Sequence, residues 1–323
     1  MKLLRLSVFA LLTLMLLGVC SGEGKAKSAA AEPVVCRLAY TAKVHYAPQI
    51  LGLKKGWFAA PSITVQGVDL GMSAGIAAAE ALVSGSADVS VMGDVPAIFA
   101  LASQRPCVLI ASYGGGETMH SIITNDASGI ARAEDLAGKR IGVQFGSSTH
   151  GAVYLYLRAN QIDQNSVTLV NIPQSSLIEA LISKDIDALA ASEPTPSLAL
   201  EKVPGSRLLA ILSGLGNDYP LMMVASKEFA EAHPKVINAL LDGTRRAVDF
   251  INSDPEKAGE ELSASTGTPV ALEVDTLRKL IWGVRLDEGI ISSLEQTADF
   301  LHSVGRLQSI PDIRAMTWME SVD

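Results

Sequence analysis

The chain is poor in the residues that mark several protein classes. Three cysteines in 323 residues are too few for a disulfide framework and too scattered for a closed zinc site. Aromatic residues make up only 5%, which leaves little material for base-stacking or sugar-stacking platforms. Basic residues are outnumbered, 26 Lys and Arg against 34 Asp and Glu, and the net charge of -8 argues against nucleic acid as partner. No G-x-S-x-G elbow, H-E-x-x-H pair or Walker loop occurs. No repeat of solenoid length is present either.

What the chain does contain is ordinary globular material, 48% hydrophobic and 19% charged, with length enough for two cores. It opens MKLLRLSVFALLTLMLLGVC, in which Lys2 and Arg5 precede an apolar run over Leu6–Val19. That run has the length of a secretory leader and is short for a membrane span of about 20 residues. Residues 1–20 are therefore expected to be a signal peptide and 21–33 a flexible tether. Leu17-Gly18-Val19-Cys20 resembles a lipoprotein box and makes Cys20 the expected lipidation site; cleavage after Ala31 is the rival. Cys36 and Cys107 each begin a strand-like run and are expected to be buried free thiols, a bridge being the alternative.

From residue 36 short apolar runs alternate with helical stretches, the pattern of βαβ units. Strands are expected at 36–40, 62–66, 88–92 and 107–113, followed by a break at Gly114-Gly115-Gly116. A second block places strands at 140–144, 167–170, 188–191 and 207–212. Two further extended runs, HSIITND and LMMVAS, read as crossings between the blocks. Beyond Lys227 the chain reads as helical to its end, with helices near 234–253, 254–265, 270–282 and 291–304. The expected fold is an α/β protein of two lobes, 34–123 plus 219–323 and 124–218, with a ligand cleft between them.

In open parallel sheets ligands meet the carboxyl ends of strands, where helix N-termini offer free N–H donors. Four such junctions are rich in small or polar residues: Gly71-Met72-Ser73, Gly93-Asp94, Gly146-Ser147-Ser148-Thr149-His150 and Ser192-Glu193-Pro194. The plainer reading is that such residues cap their own helices. GSSTH stands apart because two extra hydroxyls and a histidine gather behind one glycine. His45, His120 and His150 fall where they could share a cleft, but they lack metal-ligand spacing, and no metal or cofactor is expected. Asp94 and Glu193 as an acid–base pair have nothing in the sequence to bring them together.

Four segments in order, AYTAKVHYAPQILGLKKGWF, EALVSGSADVSVMGDVPAIFALA, DLAGKRIGVQFGSSTH and ALISKDIDALAASEP, resemble the nitrate/sulfonate/taurine class of ABC-transporter substrate-binding proteins. The resemblance implies a two-lobed, type II periplasmic-binding-protein fold with two hinge-crossing strands. It also implies an exported monomer, in the periplasm or on the outer face of the membrane, that serves an ABC permease and its ATPase. Carried over residue by residue, it points to Lys43, Val44, His45, Gly71, Met72, Gly93, Asp94, Ser147, Ser148, His150 and Glu193 as ligand-binding. Glu193 departs from the family in lacking an aromatic before it, and the glycine triplet is expected to leave room near the hinge. The implied ligand is a small organic anion, sulfonate- or taurine-like. Nitrate, bicarbonate and a thiamine pyrimidine stay open, as do an enzyme on the same scaffold and a ligand-binding partner of a membrane sensor.

Overall fold

The computed structural model describes residues 33–71 and 75–318. The expected leader, Cys20, the tether up to residue 32 and Met72 lie outside the described residues. In chain order the elements begin β1 (Val34–Tyr40), α1 (Ala47–Lys54), β2 (Ile63–Asp69), α2 (Ile76–Ser84), β3 (Val89–Gly93) and α3 (Asp94–Leu101). They continue with β4 (Cys107–Gly115), β5 (His120–Asn125), β6 (Arg140–Val143), α4 (Ser148–Ala159), β7 (Thr168–Asn171), α5 (Leu177–Ile182) and β8 (Ala188–Ser192). Next come α6 (Thr195–Lys202), β9 (Ser206–Ile211), β10 (Leu221–Ser226), α7 (Lys227–Ala232) and α8 (Pro234–Ser253). The last are α9 (Pro255–Thr266), α10 (Val270–Lys279), β11 (Ile281–Arg285) and α11 (Glu288–Ser303).

The strands form two sheets. One has six strands in the order β11-β4-β10-β3-β1-β2, the other five in the order β7-β6-β8-β5-β9. Each is parallel at one side, β2-β1-β3 and β7-β6-β8 respectively. The first also takes in two strands that run against their neighbours, β10 and the edge strand β11, and the second takes in one, β5. The chain passes between the sheets twice, over residues 116–119 from β4 to β5 and over residues 212–220 from β9 to β10; the two extended runs expected as crossings are instead β5 and β10, strands inside the sheets. Gly116 N–H donates to the Asp218 carbonyl at 2.9 Å, which ties the two passages together.

Burial explains the sequence pattern of the strands. β3 and β10 are buried at every position, because helices cover both faces, and they read as unbroken apolar runs. β2, at the sheet edge, shows the mixed exposure of a strand with one wet face. α8 keeps Val236, Ile237, Leu240, Leu241, Ala247, Val248 and Ile251 buried, the spacing of a helix with one apolar face. Cys36 and Cys107 are buried free thiols on β1 and β4, and β10 and β3 lie between those strands.

Two local expectations are corrected, and the room expected beside the glycine triplet is present as a space of about 120 Å³ lined by Gly114, Gly115 and Gly116. The break at Gly114 comes later, because β4 runs on to Gly115. The C-terminal region is not wholly helical: the helix expected over 270–282 stops at Lys279, and Ile281–Arg285 pairs with β4 as an edge strand. IWGVR carries β-branched and aromatic residues around a glycine, a strand composition that the helical stretch before it obscured. The bare glycines admit backbone. A Cβ at Gly115 would sit 2.8 Å from the Tyr219 carbonyl oxygen, and one at Gly114 would sit 2.9 Å from that of Ile281.

Candidate functional site

The carboxyl ends of β1, β3, β6, β7 and β8 converge on one enclosed space between the two sheets. It measures about 40 Å³ and its polar wall is made by Lys43, His45, His120, Ser148, Thr149 and Gln174. Tyr46, Pro96, Met119 and Leu221 close the apolar side, while Gly75, Gly93, Ser147 and Ser192 complete the lining. Such a volume suits about three waters, or one oxyanion head group.

Lys43 leads into a short 3-10 turn, Val44–Tyr46, which throws His45 and Tyr46 inward while Val44 joins the apolar core. The Lys43 ammonium donates to Gln174 Oε1 at 2.8 Å, a bond from the first half of the molecule to the second. Gln174 is fixed in turn: its amide nitrogen donates to the Ser192 carbonyl at 2.9 Å and to Thr195 Oγ1 at 3.0 Å. Burial pushes the Lys43 ammonium down to about 7. Burial also pushes His45 well below its ordinary value and His120 down to about 3, with the Lys43 charge adding to both. The Nε2 atoms of His45 and His120 are buried and have no hydrogen-bond partner.

The opposite wall is the start of α4. Ser147 caps it, accepting from His150 N–H at 3.2 Å and donating to the Gln144 carbonyl at 2.7 Å. Ser147 therefore spends its hydroxyl on the helix. The first-turn N–H groups that helix geometry leaves over are those of Ser148 and its neighbours, at the positive end of the dipole. Thr149 Oγ1 lies 2.9 Å from His120 Nδ1. A Cβ on Gly93 would stand 2.2 Å from Ser148 Oγ, so glycine at that position permits a close approach of the two halves.

Of the expected site residues, Lys43, His45, Gly93, Ser147 and Ser148 line this space. Val44 faces the core, and Gly71 sits exposed in a left-handed turn, its N–H donating to Asp69. Asp94 is buried just behind the wall, where Asn217 Nδ2 donates to it at 2.8 Å. Burial raises its carboxyl above the ordinary range, and hydrogen bonds from Ser148 and Asn217 partly offset that. His150 turns back onto its own loop, stacked on Phe145 with centroids 4.4 Å apart, and accepts from Gly146 N–H. Glu193 points away, to Lys279 at 3.5 Å. Adjacent residues in extended chain face opposite ways, so Ser192, not Glu193, lines the space.

Sequence reasoning passed over Gln174 and left His120 as an unsupported metal candidate. Gln174 stands just beyond β7, and the strand-end argument applied to Pro173-Gln174 would have found it. Among the described residues no cluster of His, Cys, Asp and Glu is arranged to hold a metal.

Residues 43–258 match the family described as NMT1/THI5 like. The chain belongs to that family. Within reach of it, a taurine-binding periplasmic protein of Escherichia coli (strain K12) is 32% identical over 171 residues, 51% of each chain. The alkanesulfonate-binding protein SsuA from Xanthomonas axonopodis pv. citri, solved bound to MOPS, is 25% identical. It superposes with a TM-score of 0.78 over 90% of this chain and 99% of that one. The periplasmic aliphatic sulphonate-binding protein SsuA from Escherichia coli, at 23% identity, shares the fold with a TM-score of 0.76 over 89% and 98%. The NMT1/THI5-like fold here is thus the two-lobed α/β architecture of those binding proteins.

Proposed function

We propose that this chain is the exported substrate-binding component of an ABC importer. It captures a small organic anion of the sulfonate type between its two halves and delivers it to a membrane permease. The observation that carries the reading is the enclosed space itself, which sets the Lys43 ammonium and the N-terminus of α4 on facing walls. An anion placed there meets the Lys43 ammonium and the first-turn N–H donors, and contributes bonds to both halves at once. Because each half supplies only part of the site, the ligand favours the closed arrangement by its differential affinity for it. The names of the taurine- and alkanesulfonate-binding relatives support the ligand class. The leader-like start supports export to the periplasm or the outer membrane face, with Cys20 as the anchor point.

A thermal-shift series over sulfonates, nitrate, bicarbonate and thiamine pyrimidines tests the reading. A ligand at a hundred times its dissociation constant adds about 2.7 kcal/mol, and so raises the melting temperature by roughly 5 °C in a chain of this size. Sulfonates are expected to give that shift. A shift with nitrate or a pyrimidine alone would replace the ligand class, and none with any anion would overturn the reading.

A further inference from the structure

We propose that the site selects short organic anions that carry no amino group, with His45 and His120 as the side chains that make the selection. This rests on the anion-binding reading above and narrows it. Every ionisable side chain that forms the polar wall is basic: Lys43, His45 and His120, with Tyr46 beside them. Among the described residues no carboxylate belongs to the lining. Of the two that the strand-end pattern put forward, Glu193 faces Lys279, and Asp94 stands behind Ser148 with one oxygen held by Asn217 and the other buried without a partner. A ligand ammonium held against this lining would lose water close to the Lys43 ammonium and touch no carboxylate directly. An uncompensated charge in an enclosed site is strongly disfavoured.

The imidazoles supply the positive half of the argument. Each is almost wholly buried, and each has an Nε2 with no protein partner, so a ligand atom is what remains to satisfy it. For His120 the neighbour can set the tautomer. A Thr149 hydroxyl that donates to Nδ1 leaves the proton on Nε2, turned into a donor toward an anionic oxygen. A ligand that is acceptor-only at its charged end fits such a wall; one with an ammonium three atoms away does not.

Isothermal titration of the mature protein at pH 6 with taurine, isethionate and propane-1-sulfonate reads this directly, because the three differ only in an ammonium, a hydroxyl and a methyl at one end. Isethionate or propane-1-sulfonate is expected to bind at least tenfold more tightly than taurine. Equal or tighter binding of taurine would overturn the selection while leaving the sulfonate reading in place. Absence of binding by all three would overturn both. His45→Gln and His120→Gln are each expected to weaken the better ligand at least tenfold while the ligand-free melting temperature holds. Unchanged affinity in both variants would remove the histidines from the proposal.

Discussion

Lys43 shows how one side chain can tie binding to pH. Burial holds its ammonium at about 7, whereas the ordinary value of 10.5 applies once the chain unfolds. Between those values the unfolded chain binds the extra proton. The cost of burying the charge is therefore complete below about pH 7, and the stability of the ligand-free closed form rises with pH across that window. The proposed anion binding runs the other way, because that complex needs the ammonium. Affinity is expected to be flat just below pH 7 and to fall about tenfold per unit above it, until the value in the complex is reached. His45 and His120, the other titratable groups around Lys43, are both pushed down by burial and add no step above pH 7. Titration calorimetry between pH 6 and 9 checks the profile. Lys43→Met is expected to abolish that dependence and weaken a monoanion about ten- to a hundredfold, the worth of a hydrogen bond to a charged group. Ser147→Ala should act differently, lowering stability by about 1 kcal/mol through the lost helix cap, because its hydroxyl already serves α4. The Gly-Ser-Ser-Thr run was legible as a candidate site because hydroxyls at a helix start are a local signal. Which of its hydroxyls face the space was not, since that depends on how α4 is rotated against Gly93.

At the scale of elements, strand ends and passages decide more than helices do. Gly115 has a backbone φ of 151°, in a region side chains rarely adopt, and its missing Cβ makes room for the Tyr219 carbonyl. Gly115→Ala is expected to cost about 1–3 kcal/mol, seen as a lower urea midpoint with unchanged slope. Glu193→Gln tests the turn after β8. The carboxylate faces Lys279, and Lys279 keeps Asp275 as a second partner at 2.6 Å, so ligand affinity should stay within about twofold of wild type. A tenfold loss would put Glu193 back in the site. The same element shows why alternation matters: an assignment one residue off moves a side chain from the site to the opposite face. β11 escaped the reading for a related reason, since five residues of strand hidden behind a ten-residue helix carry too little periodicity to stand out.

For the molecule as a whole, closure is the event that the proposed function requires. The Lys43–Gln174 bond and the approach of Gly93 to Ser148 join parts of the chain that are distant in sequence, and both are features of a closed form. Small-angle scattering is expected to show a smaller radius of gyration when ligand is added, and Gln174→Ala should require more ligand for the same change. A radius unmoved by saturating ligand would mean that binding does not proceed through closure. By itself the sequence determined the βαβ grammar, the extended character of the runs that form β5 and β10, the buried strands and the family. These are set by local periodicity and by residues adjacent in the chain. Only the tertiary structure decided which residues share the enclosed space, that Gln174 meets Lys43, and that Glu193, His150 and Val44 turn away. Those outcomes depend on rotation of each element about its axis and on the gap between two sheets, and both are set by packing across distances the local sequence does not encode.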